Sequence, residues 1–112
     1  MAAKLYGADN APLKIQFITD PHYYSRKGGT EGKAYEKAEA KSQKIIKDSD
    51  LVIKAGFDLL CADTSTDIVV LAGDTTRDGE LASHAEFIEM LRDLKKRGKR
   101  VYVITATHDY RD

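Results

Sequence analysis

The chain has 112 residues, which is enough for one small domain but too few for two. Its 18 basic and 18 acidic side chains leave no net charge, so the basic excess that is typical of nucleic-acid-binding proteins is absent. A single cysteine excludes an internal disulfide bond, and no apolar run reaches the roughly 20 residues of a membrane-spanning helix.

Residues 1–13 are predicted to form a flexible lead-in. The first eleven residues are neither periodic nor apolar enough for a signal peptide. The sequence therefore does not decide the cellular compartment. The protein is cytoplasmic or, if a signal peptide was removed earlier, exported.

The first predicted strand, Lys14–Thr19, ends at the motif Asp20-Pro21-His22. A polar, glycine-bearing stretch at 22–33 follows and is predicted to be a loop. Small and apolar residues then recur at steps of three and four from Ala38 to Leu60, which predicts one long amphipathic helix. Its lysines are interpreted as the solvated side of that helix, namely Lys37, Lys41, Lys44 and Lys47.

Two further strands and a second helix complete the predicted fold. Ile68–Leu71 has four apolar residues without alternation, which is typical of a strand covered on both faces, and it is followed by Gly73-Asp74. The spacing in Ser83-His84-Ala85-Glu86 predicts a capping box at the start of the second helix. The third strand, Val101–Ile104, leads to Thr107-His108-Asp109.

The element order β-α-β-α-β predicts an α/β fold with a parallel sheet. Each of the three polar motifs then falls at the carboxyl end of a strand, and ligands bind at that edge in open α/β sheets. The motifs gather carboxylates and imidazoles there, namely Asp20, His22, Asp74, His108 and Asp109.

These residue types suit metal-dependent chemistry. Asp20 and His22 can direct an oxygen and a nitrogen ligand at one ion, a donor set that suits Mn, Fe or Zn. Asp74 has two carboxylate oxygens and can bridge two ions, and two-metal sites bind phosphoryl groups and activate water. Taken singly, these residues are more simply turn or surface residues, as are Arg77 and Asp78, so the prediction rests on the joint placement of the motifs.

With these motifs the sequence resembles the calcineurin-like metallophosphoesterases, from Lys14 to Asp112. The resemblance includes Asp20-x-His22, Gly73-Asp74 with Asp78-Gly79-Glu80 behind it, and Ala106-Thr107-His108-Asp109 in place of the family's Gly-Asn-His-Asp box. Two further stretches are similar to bacterial phosphohydrolases of the cyclic-nucleotide phosphodiesterase-like group, namely Ser83–Phe87 and Lys99–Ile104. The resemblance implies that residues 14–112 correspond to the first half of the metallophosphoesterase sandwich and to the amino-terminal part of such an enzyme.

The implied activity is hydrolysis of a phosphomonoester or phosphodiester by metal-activated water, with a small phosphoester as the partner. The resemblance implies that Asp20 and His22 bind the first metal ion and that Asp74 bridges two ions. Thr107 stands where the family's asparagine binds the second ion. The expected cofactors are one or two divalent transition-metal ions, Mn, Fe or Zn, and we expect a weaker second site because a neutral hydroxyl is a poorer ligand.

The resemblance implies that His108 is the acid that assists the leaving group and that Asp109 orients it. The family's later histidines and second sheet have no counterpart in this sequence, so a non-catalytic remnant or interaction module with an incomplete metal site is the alternative function. Open sheet edges and the apolar strand Ile68–Leu71 also predict self-association, or a place in a larger protein. A dinucleotide-binding domain is less favoured, because Asp20-Pro21-His22 stands where G-x-G-x-x-G is expected.

Overall fold

The computed structural model describes residues 11–110, which form a mixed α/β fold. Three parallel strands lie in the order β1-β2-β3, namely β1 (Ile15–Ile18), β2 (Ile68–Ala72) and β3 (Arg100–Ile104). The predicted α/β class and parallel sheet are therefore confirmed. The first ten residues of the predicted lead-in lie outside the described part of the chain, as do residues 111 and 112.

Three loops follow the strands and meet at the carboxyl edge of the sheet. We call them the β1 loop (residues 19–25), the β2 loop (residues 73–80) and the β3 loop (residues 105–110). The three polar motifs lie in these loops or at their starts, so each motif falls where its strand was expected to place it.

The long helix predicted from Ala38 to Leu60 is wrong, because two helices occupy that stretch. Helix α1 (Lys33–Lys41) ends before Ser42, whose backbone is extended, and α2 (Ser49–Ala62) begins seven residues later. The Ser42 hydroxyl accepts a hydrogen bond from the Lys44 amide at 2.9 Å, and local bonds of this kind compete with helix formation. The chain therefore turns between the helices, although the three-four spacing continues across the break.

Helix α3 (Leu81–Lys96) begins two residues before the predicted capping box, and the box itself is wrong. The Ser83 hydroxyl is buried and accepts a hydrogen bond from the Ser25 amide at 3.0 Å. The Glu86 carboxylate accepts one from the Tyr23 hydroxyl at 2.5 Å. Both side chains therefore hold the β1 loop against α3 instead of capping the helix. No helix within residues 11–110 is long and apolar enough to cross a membrane.

Helices α2 and α3 cover one face of the sheet. Val69 and Leu71 of β2 point to that face and are fully buried. They pack in one cluster with Phe57 of α2 and Phe87 of α3, whose rings meet edge to face with centroids 5.4 Å apart. This cluster is the core of the described residues and fixes the strands under the three loops.

The opposite face of the sheet is uncovered within residues 11–110, so the prediction that β2 is covered on both faces is wrong. Side chains alternate along a strand, and the register sets Phe17, Val70 and Tyr102 in one row of that face. Phe17 is 68% exposed and Ile104 is 63% exposed. We call this surface the open face (Phe17, Val70, Ala72, Tyr102 and Ile104), and self-association through it stays a prediction.

Candidate metal centre

Hydrogen bonds continue the parallel pairing of β1 and β2 past the ends of the strands. The Asp20 amide donates to the Gly73 carbonyl at 3.2 Å, and the His22 amide donates to the Asp74 carbonyl at 3.0 Å. This pairing of the β1 and β2 loops sets Asp20 and His22 beside Asp74.

Asp20, His22 and Asp74 form a cluster of three potential metal ligands. Each offers one ligand atom, and these atoms all lie within 4.8 Å of one another. All three residues have left-handed backbone, with φ angles of 50°, 45° and 47°, and they are the non-glycine residues of the described chain with positive φ. Such conformations cost on the order of 1–3 kcal/mol each and occur mostly at functional sites. The residues predicted as metal ligands are therefore also the residues with strained backbone.

Gly73 allows the β2 and β3 loops to approach each other. Its φ is +94°, and a Cβ atom added there would lie 2.7 Å from the Cβ of Ala106. Only glycine meets both conditions without strain. Ala106 itself has an extended backbone with φ −136°. An alanine therefore fits at this position, where the family that the sequence resembles has glycine.

His108 lies next to the ligand cluster. Its ring meets the His22 ring edge to face, with centroids 5.0 Å apart, and its amide donates to Oδ1 of Asp74 at 2.9 Å. Nδ1 of His108 lies 3.1 Å from Oδ1 of Asp78. Asp78, interpreted from the sequence as a turn residue, is thus the carboxylate that contacts the His108 ring.

The Asp109 carboxylate forms hydrogen bonds to the β2 and β3 loops and not to the His108 ring. Its buried carboxylate accepts hydrogen bonds from the Thr75 hydroxyl at 2.5 Å, and from the amides of Thr76 and Ala106 at 2.9 Å each. Burial opposes ionisation of this carboxyl, but the bonds from Thr75, Ala106 and Thr76 outweigh it and lower its pKa to about 2. Asp109 therefore fixes the β3 loop, and with it the backbone of His108, onto the β2 loop.

Thr107 is the first residue of a short 3-10 turn, Thr107–Asp109, and is exposed. Its assignment as a ligand of a second ion stays a prediction.

Lys44 faces the site, whereas the sequence pattern assigns it to the solvated side of a helix. It is partly buried, and its Nζ lies 2.9 Å from Nδ1 and 3.2 Å from Nε2 of His108. The break between α1 and α2 places it there. The helical spacing runs across the break and so does not reveal it. The one sequence signal for the break was Asp48, directly before α2, because aspartate is a residue type favoured at helix starts.

Arg77 is also less solvated than the sequence suggested. Its guanidinium lies over the Tyr24 ring, 5.8 Å from the centroid, and pairs with Asp78 at 3.1 Å and Glu80 at 3.7 Å. Its Nε atom is buried and has no hydrogen-bond partner within residues 11–110. Arg77 thus holds Asp78, the residue that contacts His108.

An open cleft of about 420 Å³ gives access to the ligand cluster. Asp20, His22 and Lys44 supply its polar side, and Ile45, Val52 and Ile53 are among its apolar residues.

The donor set fits a divalent transition-metal ion. Three atoms bound to one ion in tetrahedral geometry, each at about 2.1 Å, lie about 3.4 Å apart, so ligand atoms that lie up to 4.8 Å apart would need up to about 1.4 Å of closure. Nδ1 of His22 is buried without a hydrogen-bond partner among the described residues, and such an orphan atom costs on the order of 1–3 kcal/mol. Reorientation of this ring on an ion would remove that cost. One imidazole and two carboxylates are ligands that Mn, Fe and Zn accept.

No model of a protein family matches the chain, and no curated protein matches it. The resemblance to the metallophosphoesterases stays a prediction from the three motifs.

Proposed function

We propose that the chain forms a metal-dependent centre for phosphoester hydrolysis at the carboxyl edge of its sheet. The observation that supports this is the convergence of Asp20, His22 and Asp74, each held in left-handed backbone, with the ring of His108 beside them. Three costly backbone conformations at the three ligand positions favour a functional site over ordinary turns.

Each residue of the centre has a distinct task in this proposal. Asp20, His22 and Asp74 would hold the ion, which would supply Lewis acidity toward a phosphoryl group and activate water for attack on phosphorus. His108 donates a proton to the departing oxygen, a role suited to imidazole near neutral pH. Asp78 orients the His108 ring through its contact with Nδ1.

The substrate is a small phosphomonoester or phosphodiester. The cleft at the ligand cluster is open and has one apolar side, so it accepts an ester group without enclosing it. The alternative is a non-catalytic module that binds a metal ion. The exposed position of Thr107 is the observation that favours this alternative.

Hydrolysis of a chromogenic phosphodiester and of a chromogenic phosphomonoester in the presence of Mn²⁺ tests the proposal. We expect activity that depends on the ion and is lost in Asp74→Asn, which removes a charged ligand but keeps an oxygen for the His108 amide. Asp58→Asn is the matched control, because Asp58 is an exposed residue of α2 outside the cluster. Activity that survives Asp74→Asn would overturn the proposal. Mn²⁺ binding without hydrolysis would favour the non-catalytic module.

A further inference from the structure

Lys44 and Lys99 are the two lysines of the described residues whose ammonium makes hydrogen bonds without a carboxylate partner, and Lys99 lies away from the ligand cluster, on the carbonyls of Asp63 and Thr66. Lys14, Lys27 and Lys96 each pair with a carboxylate. Within residues 11–110, no carboxylate lies within ion-pair distance of Lys44, although the residue is partly buried. Its Nζ contacts the His108 ring and the Arg77 carbonyl at 3.3 Å there. A partly buried ammonium without a carboxylate is a site that an anion can complete.

The position of Lys44 is fixed by the fold. The Ser42 hydroxyl holds the Lys44 amide in the break between α1 and α2. The Arg77 carbonyl holds its ammonium at the β2 loop. The side chain therefore spans from the helical layer to the loops at the sheet edge, which preorganises the charge.

The ammonium lies on the same cleft as the ligand cluster. Lys44 lines this cleft together with Asp20 and His22, and its Nζ touches the His108 ring, whose centroid is 5.0 Å from that of His22. The nearby carboxylates, Asp20, Asp74 and Asp78, would repel an anionic substrate. A fixed positive charge at this point offsets that repulsion.

We infer that Lys44 binds a non-bridging oxygen of the phosphoryl group that the centre acts on. This inference rests on the proposed function and adds a substrate-binding residue to it. Lys44 is a compact point charge with three donors, which suits one oxygen of a tetrahedral oxyanion. It is a binding residue of this chain and is distinct from the ligands of the ion.

Two calorimetric titrations test the inference. The first measures Mn²⁺ binding to the wild-type chain, Lys44→Met, Lys44→Arg and Lys47→Met. The second measures binding of inorganic phosphate to the same proteins loaded with Mn²⁺. Lys47 is the matched control because it lies in the same segment between the helices and its side chain is exposed.

We expect all four proteins to bind Mn²⁺ with similar affinity. Phosphate binding should weaken at least about tenfold in Lys44→Met, since a bond to a charged group is lost. It should be unchanged in Lys47→Met and largely kept in Lys44→Arg.

The outcomes separate the two proposals. If Lys44→Met binds Mn²⁺ and also binds phosphate as tightly as the wild type, the inference about Lys44 is wrong while the metal centre stands. If the wild-type chain binds no Mn²⁺, the proposed function is wrong, and the inference falls with it. Retained Mn²⁺ binding in Lys44→Met also serves as the check that the variant is folded.

Discussion

The backbone amide of His108 donates a hydrogen bond to Oδ1 of Asp74 at 2.9 Å. One oxygen of Asp74 is thus engaged by the β3 loop. The bond also fixes the backbone of His108, whose ring lies next to the ring of His22. A single carboxylate therefore couples the ligand cluster to the residue proposed as the acid.

Because this bond uses the amide of His108 and not its ring, His108→Ala should bind Mn²⁺ about as tightly as the wild type. Its hydrolytic rate should fall by roughly 10²- to 10⁴-fold for esters with poor leaving groups, which need a proton donor. The loss should be much smaller for nitrophenyl esters, whose leaving oxygen needs no proton. Rates for both ester types, measured beside the wild type, check this. Equal losses for both ester types would argue against the role as acid.

Asp20→Gly should separate stability from metal binding. Asp20 is exposed and has φ 50°, which glycine adopts freely. The free energy of unfolding of Asp20→Gly should therefore be about 1 kcal/mol higher than that of Asp20→Ala, so the glycine variant is the more stable of the two. Both variants lack the carboxylate, and both should bind Mn²⁺ more weakly. Urea unfolding and calorimetry measure the two effects. Equal stability of the two variants would mean that the backbone strain is absent.

Gly73→Ala should damage both the fold and the site. The added Cβ would lie 2.7 Å from the Cβ of Ala106, at a φ of +94°, so we expect a loss of at least about 2 kcal/mol in the free energy of unfolding. Gly56→Ala is the matched control. A Cβ at Gly56, within α2, meets nothing within 4 Å, and the same substitution there should stabilise the chain by about 0.5–1 kcal/mol. A mild effect at Gly73 would mean that the loops can separate.

The positions of the strands could be predicted from the sequence because their apolar runs are short and bounded by polar motifs. Asp20, His22 and Asp74 were predicted as ligands for the same reason, since parallel strands bring their carboxyl ends to one edge. That much depends on topology and not on side-chain detail.

The break between α1 and α2 could not be predicted from the same patterns. Apolar spacing continues through it, and the bonds that decide it come from Ser42 and from the distant Arg77 carbonyl. The contacts of Lys44 and Asp78 with His108 depend on that break and on the folding of the β2 loop. Residues about 30 to 60 positions apart meet there, which no local pattern reports.

The open face predicts that the chain associates with a second copy of itself through Phe17, Tyr102 and Ile104. Apolar side chains exposed on one face are unfavourable in water, and burial of that face would stabilise a dimer. Light scattering should show a mass that rises with concentration. The rise should diminish in Phe17→Ser and persist in Leu59→Ser, which removes an exposed leucine from α2. A single monomeric mass at high concentration would contradict this prediction.

Asp109 predicts how stability changes with pH. Its folded pKa of about 2 lies below the ordinary value of 3.8, so the ionised carboxylate stabilises the fold above that value, and this stabilisation is lost as the pH falls from about 5 toward 2. The shift corresponds to roughly 2 kcal/mol at neutral pH. Asp109→Asn should lose about that amount, because its amide group would face the Ala106 amide donor, and its stability should depend less on pH in this range.

Asp93→Asn is the control for that series. Asp93 is exposed on α3 and pairs only with Lys96 among the described residues, so the substitution should change the free energy of unfolding by about 0.5 kcal/mol or less. Urea unfolding at several pH values between 2 and 7 measures all three proteins. If Asp109→Asn follows the wild-type curve through the acid range, Asp109 is not the carboxylate that locks the β3 loop. If its curve is flatter and lower, the loss of the bonds to Thr75 and Ala106 accounts for the difference.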